Sequence, residues 1–209
     1  MPSDVKQQDI TEKNDPSVMR QWDEPDFSTK FEEFYKIVDG LKIGLLGTYR
    51  PGVGPVTRSM ALAKRTGPDF LFLANAHSQK FKDIEANKEV NISFQDTKSQ
   101  DWISVTGTAT TASNSDPRIK EVWSRGAAAW FGDLGDGVHN GTAEDPRMSL
   151  IEVKSKYISY YKTTVGAIGY LKEVVAANVT GGVANTGNLR QMKEDEISKA
   201  RSQHSTMSS

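Results

Sequence analysis

Thr57-Arg58-Ser59-Met60 is followed, across the turn Thr66-Gly67-Pro68-Asp69, by Phe70-Leu71-Phe72-Leu73-Ala74-Asn75-Ala76-His77-Ser78-Gln79-Lys80, and this stretch decides how the chain is read. Strand alternation puts Val56, Arg58, Met60 and Leu62 on one side of a strand over 56–63. An arginine within an apolar strand face needs an anion or a carboxylate beside it. Two partners stand open at this point. One is an acidic residue of the chain itself; the other is a phosphate gripped by the planar guanidinium. The next strand, over 70–74, gives way to a helix over about 78–87, with Ser78 placed to cap it. A helix start presents free N–H groups and positive potential to an anion. Lys80, in the first turn, opposes the helix dipole unless an anion lies nearby. Arginine, serine and lysine together point to a phosphate corner built from one strand and one helix start.

Composition limits the rest. Lys and Arg number 26 against 27 Asp and Glu, a net charge of −1, so no global field draws the chain to nucleic acid or membrane. Cysteine is absent, which excludes disulfides, thiol catalysis and thiolate metal sites. His77, His139 and His204 are too few and too scattered for a histidine-rich metal centre, and no metal is expected. No apolar run approaches the roughly 20 residues of a membrane helix. Residues 1–14 are polar and lack an apolar signal core. The expectation is a soluble cytoplasmic protein.

Residues 1–26 are rich in charged residues, Gln and Pro and are expected to be disordered. Residues 27–176 form the expected domain, and 177–209 a mostly flexible tail with one short helix over 194–201. The domain opens on a helix capped by Ser28 or Thr29, with a stripe of Phe31, Phe34, Tyr35, Ile37, Val38 and Leu41 and a stop at Gly40. Strands follow over 42–49, 56–63 and 70–74, then a hairpin over 89–94 and 101–111. Ser115-Asp116-Pro117 starts a helix reaching about 130 and interrupted near Gly126. After a glycine-rich loop over 132–141 comes a long strand over 149–161, continuing through 168–175. Short strands joined by hairpin-length turns suit a mainly β, antiparallel barrel with peripheral helices rather than a parallel βαβ sheet.

Other residues offer less chemistry. Trp123 lies four residues after Ile119 on a helix, a packing position, whereas Trp102 and Trp130-Phe131 stand at rims where a flat ring could cover a planar cofactor. Asp133, Asp136, Glu144 and Asp145 lack calcium-loop order. No G-x-G-x-x-G, P-loop or G-x-S-x-G occurs.

With these pieces in place the chain resembles the pyridoxamine 5′-phosphate oxidase-like, FMN-binding split-barrel family, and within it the general stress protein branch that includes fungal blue-light-inducible proteins. The resemblance runs over roughly 31–172. Thr57-Arg58-Ser59-Met60 resembles the family's arginine-bearing strand, and Phe70 to Lys80 its serine-x-lysine phosphate corner. Ile103-Ser104-Val105-Thr106-Gly107-Thr108-Ala109 is similar to the strand ending in G-x-A. Glu121-Val122-Trp123, Ala129-Trp130-Phe131 and Leu150-Ile151-Glu152-Val153 resemble the stress branch in particular.

That resemblance implies a six-stranded antiparallel split barrel that forms a homodimer, with flavin in clefts between subunits. Arg58 and Lys80 would bind the FMN phosphate, assisted by Ser78. Backbone of Ser59, Met60, Ala74 and Asn75 would border the ribityl chain and ring, and Trp102 would approach from near the second subunit. FAD is admitted if its adenylate stays outside the cleft. Gln79 stands where the oxidases carry arginine, and their C-terminal substrate arginine and histidine have no counterpart over 157–170, which argues against oxidation of pyridoxamine phosphate. The implied activity is flavin-dependent redox, with a nicotinamide nucleotide as electron source. Its rivals are a non-enzymatic flavin-sequestering stress protein and a flavin-free dimeric barrel.

Overall fold

The computed structural model describes residues 11, 15–19 and 23–207, with side chains through 204. Most of the expected N-terminal tail lies outside the described residues. The part described includes a single helical turn, α1 (Pro16–Met19). Asp23 is held in place: its N–H donates to Leu189 O at 3.3 Å, and its carboxylate accepts from Arg190 at 2.9 Å.

Helix α2 (Phe27–Leu41) begins at Asp26, whose carboxylate accepts the Thr29 N–H at 3.0 Å. The cap therefore falls upstream of Ser28 and Thr29. The helix also runs past Gly40 and ends on Lys42, which takes the left-handed conformation (φ 58°) and donates its N–H to Val38 O. Phe31, Phe34, Ile37 and Val38 are buried, as their helical spacing requires.

The strands are β1 (Ile43–Arg50), β2 (Gly54–Ala61), β3 (Lys64–Thr66), β4 (Asp69–Asn75), β5 (Glu89–Gln95), β6 (Trp102–Ala112), β7 (Met148–Thr163) and β8 (Gly187–Met192). All pairings are antiparallel, in the order β2-β1-β5-β6-β7-β4-β3. The sixteen-residue β7 organises the sheet. One edge pairs with β6 along its length, while the other takes β4 along 148–153 and β8 along 158–163. Side chains from both ends of this order, Met60 and Leu46 with Phe70 and Phe72, meet Ile92, Val105 and Val153 in one core. The sheet thus curls on itself as a split barrel, with α2 over the core. The strand count is eight rather than six, because three-residue β3 and C-terminal β8 add to the expected set.

Three differences from the sequence expectation have physical causes. Residues 118–130 do not form one interrupted helix. They give α4 (Arg118–Val122) and α5 (Arg125–Ala128), broken at Trp123 and Ser124, both in extended backbone. The stretch 168–175 does not continue β7. It belongs to helix α6 (Ala167–Thr180), after Gly166 has turned the chain. The C-terminal segment is not a flexible tail: β8 pairs with β7, and α7 (Glu194–Met207) packs on the barrel with Met192 and Ile197 fully buried. Arg201 fixes α7 by donating to both Asp69 oxygens (2.6 and 2.8 Å) and to Ser155 O (2.9 Å).

One part of the outward face of the sheet lacks charge, whereas Glu89, Glu152 and Lys154 lie on the rest of it. Ile43, Leu45 and Tyr49 lie opposite Ala61, Ser59 and Pro55, and the face continues through Ser93, Ser104 and Ser159. Ile43, Leu45 and Tyr49 are each about half exposed. Among the described residues no helix is long and apolar enough to cross a membrane.

Candidate functional site

The phosphate corner is set by strand parity. Leu46, Thr48 and Arg50 on β1 share the inward face with Val56, Arg58 and Met60 on β2, because Leu46 pairs with Arg58 and Thr48 with Val56. Helix α3 (Gln79–Ala86) lies across this end and supplies Asp83 and Lys80.

Asp83 is fully buried and accepts from four side chains. Thr48 Oγ1 donates at 3.0 Å, Arg50 through Nε and Nη2 at 3.1 and 3.2 Å, Arg58 Nη2 at 3.2 Å, and Gln79 Nε2 at 3.2 Å. The Arg50 guanidinium is the largest influence drawing the Asp83 carboxyl down to about 2, with Gln79 and Thr48 adding to it against burial. Arg58 also donates through Nη1 to Leu46 O (3.1 Å) and Thr48 Oγ1 (2.7 Å). A guanidinium has five N–H donors, so these three bonds leave donor capacity on a side chain that is 22% exposed. Burial lowers the Arg58 pKa, and the positive charge of Arg50 adds to that against the pull of Asp83.

Lys80 stands beside Arg58. Its Nζ donates to Ser78 Oγ at 2.7 Å, and that hydroxyl donates on to Asn75 O at 2.6 Å. Among the described residues no carboxylate lies within ion-pair distance of Lys80. Its pKa is lowered first by burial and then by the charge of Arg58. Ser78 occupies the N-cap position of α3 in extended backbone but makes no capping hydrogen bond, since its hydroxyl is engaged by Lys80 and Asn75. The first turn of α3 thus lacks a side-chain cap where three cations meet one carboxylate. Such a corner can hold an oxyanion of about two charges, the form of a phosphate monoester.

Both partners left open for Arg58 therefore have a place: it pairs with Asp83 and retains donors. Arg58, Ser78 and Lys80 come together. Met60 and Ala74 are buried in the adjoining core, and Asn75 anchors the Ser78 hydroxyl. Ser59 and Trp102 are not brought to the corner within one chain. Ser59 is exposed on the outward face of β2, and Trp102 lies at the start of β6, stacked on Tyr161 at 6.4 Å with 9° between the rings. Two clefts, of about 670 and 540 Å3, lie elsewhere, one at the root of α6 and one along the Phe81–Glu85 side of α3.

Arg50, Thr48 and Asp83 were not foreseen. Parity would have found the first two, but a strand ended at 49 consigns Arg50 to the turn. Asp83 lies four residues after Gln79, the spacing at which helical side chains meet. Among the described residues no group of three or more His, Asp or Glu could hold a metal ion. His77 is exposed in the loop before α3, and His139 is paired with Asp136.

The pyridoxamine 5′-phosphate oxidase like family matches residues 29–185. The chain belongs to this family. It is 38% identical over 151 residues to protein bli-3 of Neurospora crassa, covering 71% of this chain and 72% of that protein. Its fold is similar to that of a Clostridium acetobutylicum protein related to general stress protein 26 of B. subtilis. There the TM-score is 0.58 at 19% identity, covering 83% of this chain and 99% of the other. A pyridoxamine 5′-phosphate oxidase-related, FMN binding protein from Nostoc punctiforme is similar at a TM-score of 0.51 and 11% identity, covering 67% and 86%. The family match extends through α6, which the sequence had treated as the end of the domain.

Proposed function

We propose that this protein binds FMN, as a flavin-binding stress-type protein of its family that works as a homodimer. The observation that carries the reading is the imbalance at the corner: Arg50 and Arg58 share one buried carboxylate, and Lys80 stands beside Arg58 bonded to the Ser78 hydroxyl. Arg58 and Lys80 hold the phosphate and Ser78 orients the lysine. The backbone of Ser59, Met60, Ala74 and Asn75 borders the rest of the ligand, and Trp102 comes from the second subunit. The FMN binding of the Nostoc protein supports the choice of ligand, and the uncharged part of the outward sheet face, around Leu45 and Ser59, supports the second copy. Bound flavin supplies redox chemistry, while the protein supplies binding and electrostatics. Reduction by a nicotinamide nucleotide completes the reading; FAD is accommodated if its adenylate stays in solvent.

Titration of the purified protein with FMN, followed by flavin fluorescence, tests this. Arg58→Ala and Lys80→Ala each weaken FMN binding by about 1.5–3 kcal/mol, the worth of a charge-assisted contact, and leave riboflavin binding unchanged. Equal FMN affinity in wild type and both variants overturns the phosphate assignment. Bound flavin that NADH and NADPH fail to reduce replaces the oxidoreductase with a flavin-sequestering protein.

A further inference from the structure

Between β7 and β8 the chain makes an excursion, 164–186, that leaves and rejoins the sheet at one point. Thr163 pairs with Gly187, and the Thr164 N–H donates to Thr186 O at 3.1 Å. Its outgoing limb is the fourteen-residue α6, none of whose residues is buried. Its return limb is held to α6 by Glu173, which accepts the Asn185 N–H at 3.0 Å. Ile168, Leu171, Val175 and Val179 are 53–81% exposed and lie on one helical stripe. A helix of this length without packing is marginal in water. An apolar stripe of this extent marks an interaction surface.

We propose that this arm clasps a second copy of the chain. The proposal rests on the homodimer reading and goes beyond it by assigning α6 to the interface. Position favours this occupant: the arm leaves the sheet beside the Trp102–Tyr161 stack, at the rim of the uncharged part of the outward face. Charge disfavours a lipid surface. A membrane-lying helix carries Lys and Arg along its polar face, whereas α6 has one lysine beside one glutamate, Lys172 and Glu173.

The test uses the full chain. In sedimentation experiments Leu171→Ser with Val175→Ser raises the dimer dissociation constant about tenfold or more, a loss of about 1.4 kcal/mol. The circular dichroism of the protomer is unchanged, because no α6 residue is buried within one chain. A dissociation constant equal to wild type overturns the arm assignment while leaving the dimer standing. Wild-type protein that sediments as a monomer throughout overturns the dimer reading and the arm with it. Because the chain has no cysteine, Val175→Cys gives a unique attachment point for a maleimide photocrosslinker. Covalent dimers on a denaturing gel support the clasp, and crosslinks confined to single chains overturn it. Sedimentation of wild type, but not the double variant, with phosphatidylcholine vesicles also overturns it, in favour of a lipid surface.

Discussion

Asp83 makes the corner a fixed device rather than three mobile cations. Its carboxylate spaces Arg50 and Arg58 side by side from the protein side, leaving their remaining donors and Lys80 for an incoming anion. Asp83→Asn removes the one negative charge among three cations and costs about 3 kcal/mol of stability, as breaking a buried pair does; chemical denaturation measures it. The pH dependence follows in sign. The folded carboxyl sits at about 2, below its unfolded value near 4. Its contribution is therefore full above pH ~4 and is lost as pH falls toward 2. A wild-type melting temperature that drops more steeply over this interval than that of Asp83→Asn identifies the group, since other carboxylates held low, Asp145 among them, act equally in both. Lys80 behaves oppositely. Its lowered pKa means that its charge, and with it the preference for FMN over riboflavin, fades at a lower alkaline pH than an ordinary lysine would allow. Lys80→Arg, always charged, keeps that preference as pH rises; a preference lost at the same pH as wild type rules out Lys80 as the titrating group. At this scale Arg58 and Lys80 stood out because each contradicts its local surroundings, a charge in an apolar face and a cation at a positive helix end, whereas Ser78 stood out only as a cap and makes no capping bond. Asp83 did not stand out, because an aspartate inside a short polar helix contradicts nothing until the β1–β2 hairpin is laid beneath it.

At the scale of elements, the misread segments are those whose burial is decided far away in sequence. The apolar face of 189–197 is thin in sequence, comprising Leu189, Met192 and Ile197, yet Met192 and Ile197 have no exposure at all. Buried Ile197 and Ala200, with the Asp69–Arg201 and Lys30–Glu196 pairs, dock α7, and none of β7, Asp69 and Lys30 is a local neighbour. Residues 168–175 were ambiguous for another reason: a short apolar run rich in valine does not distinguish strand from helix by period. Ile197→Ala should destabilise the fold by about 2–4 kcal/mol, the cost of a large-to-small change in a packed site. A change within roughly 0.5 kcal/mol in denaturant titration would make α7 the detachable tail that its composition implies. Gly107, in contrast, was quoted for its G-x-A pattern before its role was visible. It lies at the register shift between β6 and β7, where an added Cβ would meet Lys154 O at 2.5 Å. Gly107→Ala therefore costs about 1–3 kcal/mol by overpacking against backbone that cannot yield.

On the scale of the whole molecule, the barrel class was legible from short strands and tight turns, but the outward sheet face was not. The uncharged row across it becomes visible only when registers align Leu45, Ser59, Ser93, Ser104 and Ser159. That row explains why the corner and Trp102 stand apart in a single chain. On the proposed reading, the inward face of β1 and β2 would carry the phosphate contacts, the outward face carries Ser59 and leads to Trp102, and a second copy would bring a Trp102 toward a corner. Leu45→Glu separates these contributions. Leu45 is 47% exposed in one chain, so a glutamate there leaves the protomer folded. Against a second copy the same carboxylate becomes an unpaired charge in an apolar contact, a penalty of several kcal/mol. The variant is expected to sediment as a folded monomer. It should then hold FMN weakly through Arg58 and Lys80 alone, so that FMN and its phosphate-free analogue riboflavin both lose the affinity that depends on the ring, while FMN keeps its advantage over riboflavin. If the monomeric variant binds FMN as tightly as wild type, the ring is held within one chain, and Trp102 has no part in the site.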